Sequence, residues 1–200
     1  MKVVIVKYNA GNIYSVVNSL RRLGVEPLLT DDAEQIMSAD RVLFPGQGEA
    51  RVAMTYLREH GLDIVIRNLK QPVLGICIGQ QLLCRHSEEN NTDCLGVFDV
   101  EVRKFRPERH EDKVPAMGWN DLYNLRSPLF KNIEKGNSYV YFVHSYYVPV
   151  CDYTIAETDY IHPYSAAINK NNFYATQFHP EKSGTVGACI LKNFLEIDDK

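Results

Sequence analysis

Val73-Leu74-Gly75-Ile76-Cys77-Ile78-Gly79-Gln80-Gln81-Leu82-Leu83 reads as a short buried strand running without a linker into a helix. Val73 to Ile76 is continuously apolar rather than alternating, as in a strand covered on both faces. Gly75 and Gly79 flank Cys77 in the G-x-nucleophile-x-G pattern of a nucleophile elbow, with cysteine in place of serine. The glycines let the backbone turn tightly without Cβ clashes, leaving the cysteine strained at the top of the sheet. A helix start places partial positive charge beside the sulfur and favours thiolate. The backbone N–H of Ile78 points where an oxyanion would form. A buried cysteine in a Gly-punctuated loop has the same local pattern, so this stretch alone leaves both readings open.

Outward from this point, strands alternate with helices. Val3 to Val6 reads as a buried strand, Glu26 to Leu29 as a second short strand and Arg41 to Phe44 as a third. Asn9-Ala10-Gly11-Asn12 turns into a helix marked by Ile13, Val16, Val17 and Leu20, which Gly24 closes. Pro45-Gly46-Gln47-Gly48 leads into a helix with Val52, Tyr56 and Leu57, and another runs through Ile64 and Leu69. Such alternation from Met1 to Asn90 predicts a parallel sheet covered on both faces. Downstream, Val97 to Phe105, Tyr139 to Val148, Tyr153 to Thr158, Ala166 to Asn169 and Phe173 to Phe178 follow with no long helix between them. These predict antiparallel strands. A last helix over Thr185 to Leu195 covers the sheet again, and polar Arg106 to Lys113 reads as an exposed loop. The expectation is one three-layer α/β/α domain over residues 1–200, flavodoxin-like, with a mostly parallel central sheet and antiparallel C-terminal strands.

Hydrophobic residues make up 45% and charged residues 24% of 200, ordinary for a soluble globular protein. A net charge of -3 argues against nucleic acid or an anionic membrane as the main partner. The apolar run at Val3 to Val6 is too short for a signal peptide and Lys7 interrupts it. No apolar stretch reaches the length of a membrane span. Five cysteines (Cys77, Cys84, Cys94, Cys151 and Cys189) form no CxxC pair, which suits neither a zinc site nor a disulfide framework. A cytoplasmic location is expected.

The C-terminal half decides how Cys77 is read. In Phe178-His179-Pro180-Glu181 the proline halts a strand and fixes the loop. His179 can face a thiol while Glu181 holds its ring, the base-plus-orienter logic of a triad. In a doubly wound sheet all three reach the C-terminal edge of the strands.

Gly75-Ile76-Cys77-Ile78-Gly79-Gln80-Gln81 with His179-Pro180-Glu181 resembles the class I glutamine amidotransferase family. Tyr8-Asn9-Ala10-Gly11-Asn12, Phe44-Pro45-Gly46-Gln47-Gly48, Met117-Gly118-Trp119-Asn120, Phe142-Val143-His144-Ser145-Tyr146 and His179-Pro180-Glu181-Lys182-Ser183-Gly184 are similar, within it, to glutaminase subunits of imidazole glycerol phosphate synthases. Such subunits more usually read Pro-Gly-Val-Gly-Ala-Phe where this chain has Pro45-Gly46-Gln47-Gly48-Glu49-Ala50. The difference touches loop packing, since Gln47 keeps its backbone amide.

The resemblance implies a Cys77, His179, Glu181 triad that hydrolyses L-glutamine without metal or organic cofactor. It implies an oxyanion hole from the Ile78 amide and, after rearrangement, those of Gln47 and Gly48. Gly46, Gln81, Glu89 and the backbone of Ser145 and Tyr146 would hold the glutamine. A cyclase subunit with a (β/α)8 barrel would receive the ammonia, with Asn12, Trp119 and Lys182 at the interface. His144 ends a strand with no acid two residues on and reads as a structural histidine. Cys84, two turns after Cys77 on the expected helix, reads as a small core residue. Trp119, after a glycine in an expected loop, is a core lid or an interface anchor, and the resemblance favours the interface. Rival readings are an amidotransferase feeding another synthase, as in surface-sugar biosynthesis, and a stand-alone cysteine hydrolase.

Overall fold

The computed structural model describes residues 1–9, 13–134 and 136–197. The first half alternates as the sequence predicts: β1 (Val3–Val6), α1 (Tyr14–Arg22), β2 (Leu28–Thr30), α2 (Ala33–Met37), β3 (Arg41–Gly46), α3 (Ala50–Glu59), α4 (Leu62–Arg67), β4 (Val73–Cys77) and α5 (Ile78–Leu83). Then come β5 (Cys84–Ser87), β6 (Thr92–Asp93), β7 (Phe98–Lys104), β8 (Ala116–Asn120), β9 (Val140–His144), β10 (Tyr146–Tyr147), β11 (Thr154–Tyr160), β12 (His162–Lys170), β13 (Phe173–Thr176) and α6 (Gly184–Leu195).

The central sheet has the order β11-β12-β13-β4-β3-β1-β2. Pairs from β13 through β4, β3 and β1 to β2 are parallel, and β11-β12-β13 are antiparallel. Successive strand residues point to opposite faces, so Val3, Ile5, Leu43, Leu74 and Ile76 join one core with Val16 and Leu20 of α1 and Ile190 and Phe194 of α6. Val4, Val6, Val42, Phe44 and Val73 join the other, with Ile36 of α2, Met54 and Leu57 of α3, Ile66 of α4 and Leu82 of α5. Helices therefore cover both faces, and the continuously apolar strands are explained. Gly24, at φ 79°, ends α1 as a Schellman cap: its N–H donates to the Arg21 carbonyl and that of Val25 to the Leu20 carbonyl.

Several expected elements shift. α5 stops at Leu83, so Cys84 is not on the Cys77 helix; it opens β5, where it is fully buried. The expected strand from Tyr139 to Val148 breaks at Ser145 into β9 and β10, which belong to different sheets. β7 pairs parallel with β5 and antiparallel with β10 in a four-stranded sheet apart from the central one. Met117-Gly118-Trp119-Asn120 is not a loop but part of β8, paired antiparallel with β9. β3 runs past Phe44 to Gly46, which brings Gly46 onto the same rung as Cys77 of β4. Arg106 to Lys113 is an irregular, mostly exposed segment. Among the described residues no helix is long and apolar enough to cross a membrane.

Candidate active site

Cys77 closes β4 and precedes α5 with φ 54° and ψ -109°. A non-glycine residue in this region is strained and persists only where the surroundings hold it. The flanking glycines do so by allowing close approach, not through an unusual φ of their own. A Cβ on Gly79 would lie 1.9 Å from the Phe44 carbonyl oxygen, and one on Gly75 would lie 3.0 Å from the Gly79 backbone. A side chain at Gly79 would push α5 off β3, and one at Gly75 would make the start of α5 and the Leu83 side chain give way.

The cysteine is 8% exposed. Its sulfur lies 3.8 Å from the Val143 carbonyl oxygen and 3.8 Å from Gln177 Nε2. Across the sheet edge, His179 Nδ1 donates to Glu181 Oε1 at 2.7 Å, with both side chains almost completely buried. That bond leaves Nε2 as the free ring nitrogen, and Nε2 is buried without a hydrogen-bond partner among the described residues. The backbone around the pair is fixed from three sides. Ser183 Oγ donates to the His179 carbonyl at 2.6 Å and accepts from Tyr141 N, while Ser19 Oγ of α1 donates to the Glu181 carbonyl.

Burial opposes charge on His179, but the Cys77 sulfur and then the Glu181 carboxylate outweigh it, pushing the imidazole from 6.5 up to about 10. A folded-state value raised above the unfolded one stabilises the fold fully below about 6.5, and that stabilisation is lost as pH climbs through about 10. Cys77→Ala removes the strongest raising influence. His179 in that variant is expected to titrate well below its wild-type position, with a shallower loss of stability on the alkaline side. Imidazole resonances followed by NMR from neutral to alkaline pH check this, and identical titration curves would show that sulfur and ring do not interact.

A cavity of about 470 Å³ opens over this pair. Cys77, His179, Gln47, Gly48, Ile78, Gln81, Glu89, Ser145, Tyr146 and Lys182 all line it. Gly46 and Glu181 lie just behind, around a much smaller hollow shared with Gln47 and His179. Trp119 lies off the cavity, 57% exposed on β8, its ring 6.0 Å from that of the cavity-lining Tyr141. Asn12 lies outside the described residues. A larger hollow of about 880 Å³ sits at the opposite ends of β4 and β13, near Pro72 and Asn172, and among the described residues no cysteine or histidine forms its wall.

Two polar side chains are tied into the walls. Gln81 Nε2 donates to the Tyr146 carbonyl and to Gln177 Oε1, each at 3.0 Å. Glu89 Oε2 accepts from Ala50 N at 2.7 Å and so caps α3 from a distant turn. Burial raises the Glu89 carboxyl above its ordinary range. His144 donates from Nδ1 to the Tyr146 carbonyl at 2.7 Å and accepts at Nε2 from the Tyr164 hydroxyl at 3.0 Å. Burial pushes it down to about 4, so the ring is a neutral strut with both nitrogens engaged. Among the described residues no group of His, Cys, Asp and Glu is arranged to hold a metal ion.

Sequence reasoning missed Gln177. It is fully buried and links the sulfur to Gln81. The available signal was an amide inside an apolar strand, Ala175-Thr176-Gln177-Phe178, where a buried polar group needs a partner.

Residues 4–197 match the family model described as glutamine amidotransferase class-I. The imidazole glycerol phosphate synthase subunit HisH of Bacteroides thetaiotaomicron is 61% identical over 197 residues, spanning 98% of this chain and 100% of that protein. The protein of the same name from Escherichia coli K12 is 46% identical over 199 residues, with the same coverage. Among solved structures, a putative GMP synthase subunit from Thermoplasma acidophilum shares the fold. Its TM-score is 0.71 at 21% identity, over 98% of this chain and 93% of that one. With the family model spanning nearly the whole chain and full-length relatives well above the level at which family is in question, this chain belongs to the class I glutamine amidotransferases.

Proposed function

We propose that the chain is the glutaminase subunit of an imidazole glycerol phosphate synthase. As one domain over residues 1–200 in the cytoplasm, it frees ammonia from L-glutamine for a cyclase subunit in histidine biosynthesis. The observation that carries this is the buried His179–Glu181 pair at 2.7 Å beside a strained Cys77, all at one cavity. The names of full-length relatives support the choice of synthase.

In this mechanism the Cys77 sulfur attacks the side-chain amide carbon of glutamine. The oxyanion is taken by the backbone N–H of Ile78 and by an amide of the Gln47-Gly48 loop. His179 gives its Nε2 proton to the departing nitrogen, the C–N bond breaks, ammonia leaves and a γ-glutamyl thioester remains. The neutral ring then takes a proton from water, whose oxygen attacks the thioester; glutamate leaves and the sulfur is restored. Glu181 fixes the Nδ1–H tautomer and faces the imidazolium. Glu89 suits the α-ammonium group, while Gln81, Gly46 and the Ser145–Tyr146 backbone shape the amino-acid end. No cofactor enters these steps.

Ammonia would pass to a (β/α)8-barrel cyclase docked over the strands' C-terminal edge, with Asn12, Trp119 and Lys182 in the contact. Met117 and Trp119 alternate onto one face of β8 at 65% and 57% exposure, with Tyr139 also exposed nearby. An exposed aromatic and Met cluster is what an interface core needs.

Partner contact is expected to switch the enzyme on. Gly48, at φ 120° with open space where a Cβ would be, and Gly46 before it let the peptides around Gln47 take two orientations. A missing oxyanion donor costs ~10²–10³ in rate. Glutamate release is to be measured for the chain alone, with the cyclase, and with cyclase plus acceptor analogue. A rise of ~10²–10³ is expected in the last; equal rates in all three would mean a constitutive glutaminase.

A further inference from the structure

Tyr8 stands just past the end of β1, against the place where β3 gives way to the Gly46-Gln47-Gly48 loop. Its ring packs on Phe44 at 5.2 Å between centroids, and the residue is 5% exposed. The hydroxyl oxygen is buried and has no hydrogen-bond partner among the described residues. A Cβ built on Gly46 would lie 2.0 Å from that oxygen, so the hydroxyl bears directly on Gly46. Burial, with the Cys77 sulfur adding to it, pushes the phenol well above its ordinary range, which keeps it a neutral donor.

Buried tyrosine hydroxyls usually find an acceptor, and one left unpaired is costly. The Gly46 carbonyl carbon is bonded to the very Cα that the hydroxyl abuts. Tyr8 belongs to the core on the α2–α5 face, whereas Cys77 packs with the core on the α1–α6 face. The C=O and N–H of one peptide point in opposite directions. A Gly46 carbonyl drawn to Tyr8 therefore aims the Gln47 N–H toward the Cys77 face.

We propose that Tyr8 is a positioning residue of the oxyanion loop: its O–H donates to the Gly46 carbonyl when the Gly46–Gln47 peptide turns, and so holds the Gln47 N–H toward the nucleophile. The role rests on the glutaminase reading above. It makes the turned loop the state in which a buried hydroxyl is finally satisfied, so that part of the bias toward activity is built into this chain.

The test is Tyr8→Phe in the full chain, assayed alone and with cyclase plus acceptor analogue. In the chain alone kcat should fall about tenfold, the equivalent of about 1.4 kcal/mol, while the glutamine KM stays within about twofold. The fractional loss should be smaller in the stimulated complex, where the partner already favours the turned loop. The thermal midpoint should not fall, because the group removed is a hydroxyl without a partner among the described residues. Unchanged kcat in both states overturns the role of Tyr8 and leaves the glutaminase reading standing. A lower thermal midpoint with equal fractional loss in both states assigns Tyr8 to packing and overturns it too. A wild-type chain that releases no glutamate in any state overturns both.

Discussion

Cys77→Ala is expected to abolish glutamine-dependent synthesis by the complex while synthesis from ammonium salts continues. The Cys77 sulfur lines the same cavity as the His179 ring, and alanine at this position has no group able to form the thioester. On the proposed function the acceptor chemistry lies on another chain, so externally supplied ammonia bypasses the loss. Background turnover by oriented water and the remaining oxyanion donors should be several orders of magnitude below wild type, as when a triad nucleophile is deleted elsewhere. The paired assay is what makes the result decisive. Loss of both activities would point to a damaged interface, and glutamate release at the wild-type rate would remove Cys77 from the mechanism. The variant also keeps a strained residue at φ 54°, since alanine shares the Cβ that makes this region costly, so little gain in stability is expected.

Glu181→Gln should keep the fold and glutamine binding but lower kcat by roughly 10⁴, the scale seen when the acid of a Ser-His-Asp triad becomes an amide. Glu181 Oε1 receives the Nδ1 proton of His179 at 2.7 Å, and its other oxygen is buried without a partner among the described residues. An amide of the same shape can still accept from Nδ1, yet it can equally rotate and offer its NH₂, which selects the wrong tautomer. It also removes the negative charge facing the imidazolium in a site almost closed to water. The KM for glutamine should change little, because Glu181 lies behind the cavity and not on its wall. Turnover within about tenfold of wild type would reduce Glu181 to a carboxylate that fills space beneath α1.

Much of this architecture is legible in the residues alone. The parallel half of the sheet follows from Val3 to Val6, Arg41 to Phe44 and Val73 to Ile76, because strands buried on both faces cannot alternate. The residues around the cavity stand out because glycine, cysteine, histidine and proline have narrow backbone and chemical uses. What escapes is decided by long-range pairing. Nothing local marks Cys84 as the start of β5: Leu82 and Leu83 lead into it as they would along a helix, and it is the distant Gly96 N–H and Phe98 that claim it for another sheet. Tyr139 to Val148 is uniformly strand-forming, so its division at Ser145 depends on which partners each half finds, β8 for one and β7 for the other. Glu89 is expected at the cavity, but its bond to Ala50 N, 39 positions back, has no signature in the sequence. Gln177 and Tyr8 escape for a related reason: a polar group inside an apolar stretch declares its purpose only once its surroundings are known.

Gly46 and Cys77 share a rung of the β3–β4 ladder. Neighbouring strands stand about 4.8 Å apart, a spacing that hydrogen bonds on either side keep rigid. The sheet is therefore a ruler between the attacking atom and the peptide that follows Gly46, and no loop movement can lengthen or shorten it appreciably. What remains adjustable is an angle, the rotation of that peptide about an axis pinned at one end. On the proposed function, a docking protein would thus turn the chemistry on or off like a shutter, with the nucleophile, its base and the bound amino acid left undisturbed in either setting.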